Sequence, residues 1–319
     1  MDRLYPIIDP YDHGMLDAGD GNHLYWETCG NSRGKPALVI HGGPGSGCTP
    51  WHRRLFNPST YRVVLLDQRN CGRSHPHASK PETDLARNQT ANLIADIERL
   101  RERLDIERWL LLGGSWGSTL ALVYAETYPQ RVAEMILWGV TTGRHKEFDW
   151  WFRGGAAPLF PQQWERLRAG VPFVNRDAEV PQAYNDLLHD RDPAIRYRAA
   201  LEWCRWESTT LSWPPSHKLS ARFTDPDFRM SFARIVTHYV CHNAWLTDGI
   251  LLRDAGRLSS IAGVLISGRF DLQAPVAWAW HLSRAWPNAE LVIVNDAGHD
   301  ASSSITQQLI RATDKFASR

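Results

Sequence analysis

The sequence contains few cysteines and no long apolar run, and each of these absences excludes a class of protein. Its 319 residues include five cysteines, an odd number scattered without C-x-x-C spacing, so neither a disulfide framework nor a metal site is predicted. No run of about 18 or more apolar residues occurs, which argues against a membrane-spanning helix. The formal net charge is +1, and nucleic acid is not expected as a partner because phosphate binding needs a concentrated excess of Lys and Arg.

The N-terminal segment also lacks a feature, because no basic region is followed by an apolar one as in a secretory signal. We therefore expect a cytoplasmic protein with reduced thiols, and a monomer is the default expectation. Tryptophan, in contrast, is abundant. The chain has 15, and six of them fall in one stretch of the middle third: Trp150, Trp151, Trp164, Trp203, Trp206 and Trp213. They are interpreted either as packing residues or as the lining of an aromatic pocket.

Six short apolar runs predict buried strands. They are residues 37–41 (ALVIH), 62–67 (RVVLLD), 109–113 (WLLLG), 134–138 (EMILW), 263–267 (GVLIS) and 290–294 (ELVIV). Helical periodicity fills residues 92–104, 118–128 and 303–316. Strands that alternate with helices predict an α/β fold with a mostly parallel sheet covered on both faces.

The alternation stops between about residues 142 and 251, a segment too long to be a loop. We predict that residues 143–251 form a helical cap over the carboxyl edge of the sheet, where open α/β folds bind ligands. Residues 1–142 and 252–319 would then form the core domain.

A candidate nucleophile follows the third predicted strand. Residues 113–117 read GGSWG and open an amphipathic helix, which is the strand–turn–helix context that a G-x-S-x-G nucleophile elbow requires. Ser115 is therefore the predicted nucleophile. The alternative interpretation is a helix N-cap serine.

A glycine-rich turn follows the first predicted strand. Residues 41–45 read HGGPG, and backbone N–H groups at such a turn can point at a developing alkoxide. Gly43 and Trp116 are the predicted oxyanion donors, and Gly42 is expected to lie against the substrate. Taken alone, the turn is also compatible with an ordinary tight turn.

A serine nucleophile needs a base, and the base needs an orienting carboxylate. In this type of fold the expected order along the chain is Ser, then Asp or Glu, then His. Asp271 and His299 follow the last two predicted strands and would reach the same sheet edge as Ser115. Asp296 and Asp300 remain alternative carboxylates.

These motifs together resemble the proline iminopeptidases of the α/β-hydrolase superfamily. The resemblance rests on the HGGPG turn, on GGSWGSTL at residues 113–120, on the DQR segment at 67–69 with Gly72 and Ser74, and on GRFD at 268–271. It implies an α/β-hydrolase fold with an inserted cap, a Ser115–Asp271–His299 triad and no cofactor or metal. It also implies cleavage of an N-terminal residue, preferably proline, from peptides or aminoacyl amides.

Four positions are compared with the family pattern. Trp206 and Glu207 resemble the Trp-Glu pair whose carboxylate holds the substrate amine. A second family glutamate is replaced by Val236, in the segment ARIVTHYV, so one of two ammonium anchors is missing. Asn70 replaces a glycine, and no consequence is expected because Asn tolerates left-handed backbone angles.

The missing anchor leaves the preferred substrate open. We expect an aminopeptidase that acts on Pro or on a small residue such as Ala, and a non-peptide aminoacyl amide of secondary metabolism is a further candidate substrate. If Glu207 is buried among Trp203, Trp206 and Trp213, it needs a cation, which the substrate, Arg205 or Arg234 could supply.

Other enzymes with this fold differ in their nucleophile or in their cap. Ser115 argues against epoxide hydrolases and haloalkane dehalogenases, which use an aspartate nucleophile. An esterase or lactonase acting on a neutral acyl substrate is the main alternative, and a non-catalytic binding protein on the same scaffold is a further one.

Overall fold

One eight-stranded sheet, with the strand order β1-β2-β4-β3-β5-β6-β7-β8, organises the fold. The computed structural model describes residues 4–172, 179–216 and 218–317. The strands are β1 (Asp12–Asp17), β2 (His23–Gly30), β3 (Lys35–Ile40), β4 (Tyr61–Leu66), β5 (Trp109–Gly114), β6 (Val132–Trp138), β7 (Ala262–Gly268) and β8 (Ala289–Val294). Strands β3 to β8 pair in parallel, which confirms the predicted parallel sheet and its six strands.

The first two strands were not anticipated from the sequence. Strand β1 pairs antiparallel with β2, and β2 pairs antiparallel with β4. In β1 only Leu16 is buried, because this edge strand faces solvent and carries charged side chains. A strand of this kind has no continuous apolar run and gives a weak sequence signal.

Helices cover both faces of the sheet. They are α1 (Pro50–Arg53), α2 (Thr90–Arg103), α3 (Trp116–Thr127), α4 (His145–Phe152), α5 (Pro161–Ala169), α6 (Val180–Leu188), α7 (Pro193–Leu211), α8 (Pro226–Cys241), α9 (Ile250–Arg253), α10 (Val276–Ala285) and α11 (Ser303–Ala317). Alternate residues of each strand point to opposite faces. In β3, Leu38 packs with α2 and α3, whereas Val39 packs with α11.

The segment between β6 and β7 builds a hydrophobic cluster of its own. In its described residues it contains helices and no strand, and residues between 151 and 240 form a cluster separate from the two beside the sheet. Leu251 instead packs with the helices on the sheet. The predicted cap, 143–251, includes residues 173–178 and 217, and the predicted core includes 1–3 and 318–319, which lie outside the described residues. The exact division of the chain into these domains stays a prediction.

Among the described residues, no helix has both the length and the apolar character needed to cross a lipid bilayer.

Candidate active site

Ser115 occupies the sharp turn between β5 and α3. Its backbone angles, φ 55° and ψ −124°, are strained for a residue with a side chain. A Cβ atom at Gly113 would lie 2.3 Å from the carbonyl oxygen of Gly117, and one at Gly117 would lie 2.1 Å from that of Ile40. Glycine is therefore required on both sides of the serine. Ser115 stands at the N-cap position of α3, but its side chain makes no capping hydrogen bond.

His299 links Ser115 to Asp271. The imidazole Nε2 lies 2.9 Å from Ser115 Oγ, and Nδ1 lies 2.9 and 3.0 Å from the two carboxylate oxygens of Asp271. Because an ionised carboxylate only accepts hydrogen bonds, Nδ1 carries the proton and Nε2 is left to accept the serine proton. Asp271 also accepts the backbone N–H groups of Gln273 and Ala274. These two backbone hydrogen bonds fix the position of the carboxylate, which in turn orients the imidazole.

The two alternative carboxylates make other contacts. Asp296 accepts a hydrogen bond from Ser304 Oγ at 2.7 Å, and Asp300 is exposed, with its backbone N–H bonded to the carbonyl of Leu211. Asp271 is thus the carboxylate that the fold brings to His299.

A buried side-chain network supports the glycine-rich turn. His41 Nε2 accepts the backbone N–H of Gln68, and the Gln68 side chain donates to the carbonyl of His41 at 2.8 Å. The same side chain accepts the indole N–H of Trp116 at 3.0 Å. Burial lowers the pKa of His41, so its ring is neutral and can accept this bond. Gln68 therefore connects the glycine-rich turn to Trp116, the residue after Ser115. The role of Gly43 and Trp116 as oxyanion donors stays a prediction.

Two cavities meet at Ser115. The larger has a volume of about 570 Å³ and reaches His299, Glu207 and Arg222. The smaller, of about 50 Å³, is mostly apolar and is lined by Trp116, Val236 and Tyr239 among others. Residues common to both walls are Gly43, Ser115, Trp151 and Gln273. The nucleophile therefore faces a roomy space with charged and apolar walls on one side and a small apolar space on the other.

Glu207 is the buried acid of the larger cavity. It lies on α7 with 2% of its surface exposed, and its Oε1 atom has no hydrogen-bond partner. Burial raises the pKa of Glu207 to about 8, and the charge of Arg222 opposes this rise only in part. A buried carboxyl oxygen without a hydrogen-bond partner is unfavourable, so a cation that enters the cavity would supply the missing contact.

The residues expected around Glu207 are partly corrected by the structure. Arg205 forms an ion pair with Glu202, and Arg234 donates to three backbone carbonyl oxygens. Neither arginine is therefore the cation that acts on Glu207. Trp213 does not bury it either, because its indole is 41% exposed and stacks on Phe270.

Comparisons with known proteins agree with this geometry. A family model described as "alpha/beta hydrolase fold" matches residues 35–303. A Streptomyces coelicolor protein named "Probable proline iminopeptidase" is 53% identical over 98% of both chains. The proline iminopeptidases of Xylella fastidiosa and Arabidopsis thaliana are 44% and 42% identical; the alignments cover 99% and 98% of this chain and 100% and 82% of theirs. The chain belongs to the proline iminopeptidase family.

Solved structures give the same fold at lower identity. An esterase from Rhodococcus sp. ECU1013 aligns over 98% of this chain and 99% of its own, with a TM-score of 0.61 and 18% identity. A meta-cleavage product hydrolase from Pseudomonas fluorescens IP01 aligns over 96% and 97%, with a TM-score of 0.59 and 19% identity. At such identities the likeness concerns the fold alone. It confirms the α/β-hydrolase fold that the proline iminopeptidase motifs implied.

The positions compared with the proline iminopeptidase pattern differ in their surroundings. Val236 is buried and lines the smaller cavity. Trp206 is not among the residues that line either cavity beside Ser115. Its indole N–H donates to the carbonyl of Trp151 at 3.0 Å, so we correct its role from substrate contact to support of Trp151. Asn70 adopts a φ of 63°, as expected of an asparagine that replaces glycine.

Several residues of the site carried a weaker sequence signal. Gly139 follows β6 with a φ of 52°, and a Cβ atom there would lie 2.9 Å from the His299 ring; a glycine after a strand end is its only sequence mark. Trp151 lines both cavities, and Trp150 donates to the carbonyl of Leu272 next to the triad carboxylate. The tryptophans of the middle third thus serve both interpretations, packing and pocket wall.

Proposed function

We propose that this chain is a serine aminopeptidase that removes an N-terminal residue, proline or a small residue such as alanine, from a peptide or aminoacyl amide. The observation that carries the proposal is the buried carboxyl group of Glu207, whose Oε1 atom has no hydrogen-bond partner, in the same cavity as Ser115 and His299. A hydrolytic serine beside a buried acid suits a substrate whose free amine lies next to the scissile carbonyl. Membership of the proline iminopeptidase family supports the same reaction.

The proposed reaction is acyl transfer in two steps. The Ser115 oxygen attacks the amide carbonyl while its proton passes to His299 Nε2, and Asp271 stabilises the resulting imidazolium. The carbonyl oxygen becomes an alkoxide, which the N–H groups of Gly43 and Trp116 would stabilise. His299 then gives the proton to the leaving amine as the C–N bond breaks. A water molecule then attacks the acyl-enzyme while His299 takes its proton. The ester bond to Ser115 breaks, the proton returns to the serine oxygen, and the amino acid is released. All groups come from the chain, and no cofactor or metal is invoked.

Glu207 would make the enzyme exo-acting. An incoming ammonium group favours the ionised form of the carboxyl group and pairs with it, whereas an N-acylated substrate offers no cation. The family's second glutamate is Val236 here, so the amine would have one carboxylate rather than two. The smaller cavity, which Val236 lines, would take the side chain of the acyl residue. Its volume of about 50 Å³ favours a pyrrolidine ring or a methyl group over a longer side chain.

An esterase or lactonase is the second candidate. The observation that favours it is the pKa of Glu207, which burial raises to about 8. In the absence of a cation this carboxyl group is therefore neutral at neutral pH, as a site for a neutral acyl group would be. The two candidates differ in whether the free amine of the substrate is required.

Hydrolysis of matched naphthylamides tests the proposal. Pro-, Ala-, Gly- and Leu-β-naphthylamide are compared with and without an N-acyl block, using the wild type and Ser115→Ala. We expect turnover of Pro or Ala substrates that is abolished by the block and by Ser115→Ala. Glu207→Gln should remove the distinction between free and blocked amines, and Glu126→Gln, a buried acid away from the cavity, is its matched control. Turnover of neutral esters without turnover of any free-amine substrate would favour the esterase.

We also propose a cytoplasmic location. The five cysteines are free thiols, which suits the reducing cytoplasm, and a short peptide or aminoacyl amide is the proposed partner.

A further inference from the structure

The wall of the larger cavity contains basic side chains that have no part in the proposed reaction at Ser115, Asp271 and His299. Arg222 and Lys218 line it, and its acidic wall residues are Glu207 and Asp300. In the described part of the chain, no carboxylate lies within ion-pair distance of the Arg222 guanidinium. Because burial keeps Glu207 protonated at neutral pH, the described part of this wall is positive before substrate binds.

Arg222 lies close to the glycine-rich turn that begins at His41. Its Nη2 atom donates to Ser46 Oγ at 3.0 Å. Ser46 belongs to that turn, since its backbone N–H donates to the carbonyl of Gly42 at 3.1 Å. A Cβ atom placed on Gly43 would lie 3.2 Å from the same Ser46 Oγ. Ser46 therefore connects the Arg222 guanidinium to Gly43, the predicted oxyanion donor.

Aromatic rings orient the guanidinium without neutralising it. Its central carbon lies 4.8 Å from the ring centroid of Phe223, 4.9 Å from that of Phe232 and 5.6 Å from that of Phe228. Cation–π contacts of this kind fix the plane of an arginine and leave N–H groups free to donate. A fixed fork of donors is suited to binding a carboxylate in a bidentate manner.

We propose that Arg222, with Lys218 as a second cation, binds the C-terminal carboxylate of the leaving group, so that the favoured substrates are peptides of two or three residues. This inference rests on the proposed aminopeptidase function. The leaving group starts at the scissile carbonyl beside Gly43, and each residue spans about 3.8 Å. One or two residues would therefore carry the terminal carboxylate from the oxyanion turn to Arg222. Glu207 would hold the amine of the same zwitterionic peptide.

A different role for Arg222 makes a different prediction. Its charge also acts on Glu207, so it could serve only to favour the ionised form of that carboxyl group. In that case removal of Arg222 would weaken all free-amine substrates equally, whatever their C-terminus. A carboxylate subsite instead discriminates between a peptide acid and its amide.

The test compares Pro-Gly with Pro-glycinamide in the wild type, Arg222→Gln and Arg222→Lys. We expect the wild type to show a KM about five- to ten-fold lower for the acid than for the amide, as for a partly exposed charge-assisted contact. In Arg222→Gln the ratio should approach one, and in Arg222→Lys it should lie between. Arg311→Ala, an exposed arginine on α11, should keep the wild-type ratio. Added salt should raise the wild-type KM for the acid more than that for the amide, which provides a second measurement without any variant.

Three results would overturn the inference. Equal KM values for Pro-Gly and Pro-glycinamide in the wild type would overturn the carboxylate subsite, while turnover of both would still support the aminopeptidase. An unchanged ratio in Arg222→Gln, with both KM values raised, would assign Arg222 to the ionisation of Glu207. Absence of turnover for both substrates would remove the proposed function itself, and the carboxylate subsite with it.

Discussion

The indole N–H of Trp116 donates to the side-chain oxygen of Gln68 at 3.0 Å, and the amide group of Gln68 donates to the carbonyl of His41 at 2.8 Å. Gln68 follows β4, whereas the two residues that it joins follow β5 and β3. One buried amide thus sets the distance between the two proposed halves of the oxyanion site. Such a residue positions the donors without contacting the substrate.

Gln68→Leu should therefore lower kcat about tenfold with little change in KM, because displaced donors stabilise the transition state less well. Steady-state kinetics on Pro-β-naphthylamide measures both parameters. Gln182→Leu, an exposed glutamine on α6, is the matched control. A rise in KM without loss of kcat would show that Gln68 supports substrate binding instead.

The carboxylate that orients His299 is tested by Asp271→Asn. The amide would favour the wrong imidazole tautomer, since it can donate to Nδ1 rather than accept from it. A fall in kcat of about 10³- to 10⁴-fold is expected from the corresponding change in serine proteases. Asp296→Asn, which affects only the bond from Ser304, should keep activity within a few-fold. Equal losses in the two variants would contradict the assignment.

Local sequence patterns predicted most of the core and the triad. The six parallel strands are continuous apolar runs because both faces of the sheet are covered. In the helix predicted over residues 92–104, Leu93, Ile97 and Leu100 are buried on α2. Ser115 and His299 could be placed because the ends of parallel strands meet at one sheet edge. These features depend on periodicity and chain order, which are local properties.

Features that depend on distant contacts could not be predicted in this way. The cation that acts on Glu207 is Arg222 rather than Arg205 or Arg234, because the path of the chain after α7 decides which arginine reaches the cavity. Trp206 adjoins Glu207 in sequence, yet its indole turns to the carbonyl of Trp151. Neighbours along a helix point to different sides, and their surroundings follow only from the packed cap.

The raised pKa of Glu207 has a consequence for stability. The carboxyl group ionises near 4.5 in the unfolded chain and near 8 in the folded protein, so between these values the folded state binds more protons. The free energy of unfolding should therefore fall as the pH rises from about 4.5 to 8, by at most about 5 kcal/mol from this group. Urea denaturation across this range measures the slope.

Glu207→Gln should flatten part of that slope, since glutamine does not titrate. Burial also raises the pKa of Glu126 to about 8, so Glu126→Gln should remove a further part and the double variant more than either. A Glu207→Gln protein with the wild-type slope would show that Glu207 is ionised in the free enzyme.

The valine at position 236 is tested by restoring the acid that the family carries there. Val236 is buried beside the smaller cavity that opens to Ser115, so a carboxylate at this position would face the acyl residue of the substrate. A second acceptor would satisfy both N–H groups of a secondary ammonium, which proline has. Val236→Glu should raise the preference for Pro- over Ala-β-naphthylamide about 10- to 100-fold, as expected for one partly desolvated charge-assisted hydrogen bond.

A buried acid also destabilises the fold, and Val236→Gln separates the two effects. Glutamine has the same length and lacks the charge, so it should lower stability without the gain in proline preference. Thermal unfolding of both variants measures the loss, and the ratio of kcat/KM values for Pro and Ala substrates measures the preference. If Val236→Glu folds and its ratio equals that of the wild type, the missing glutamate does not determine the substrate. The size of the smaller cavity would then be the remaining determinant, and the ratio should respond to a change of volume there instead of to charge.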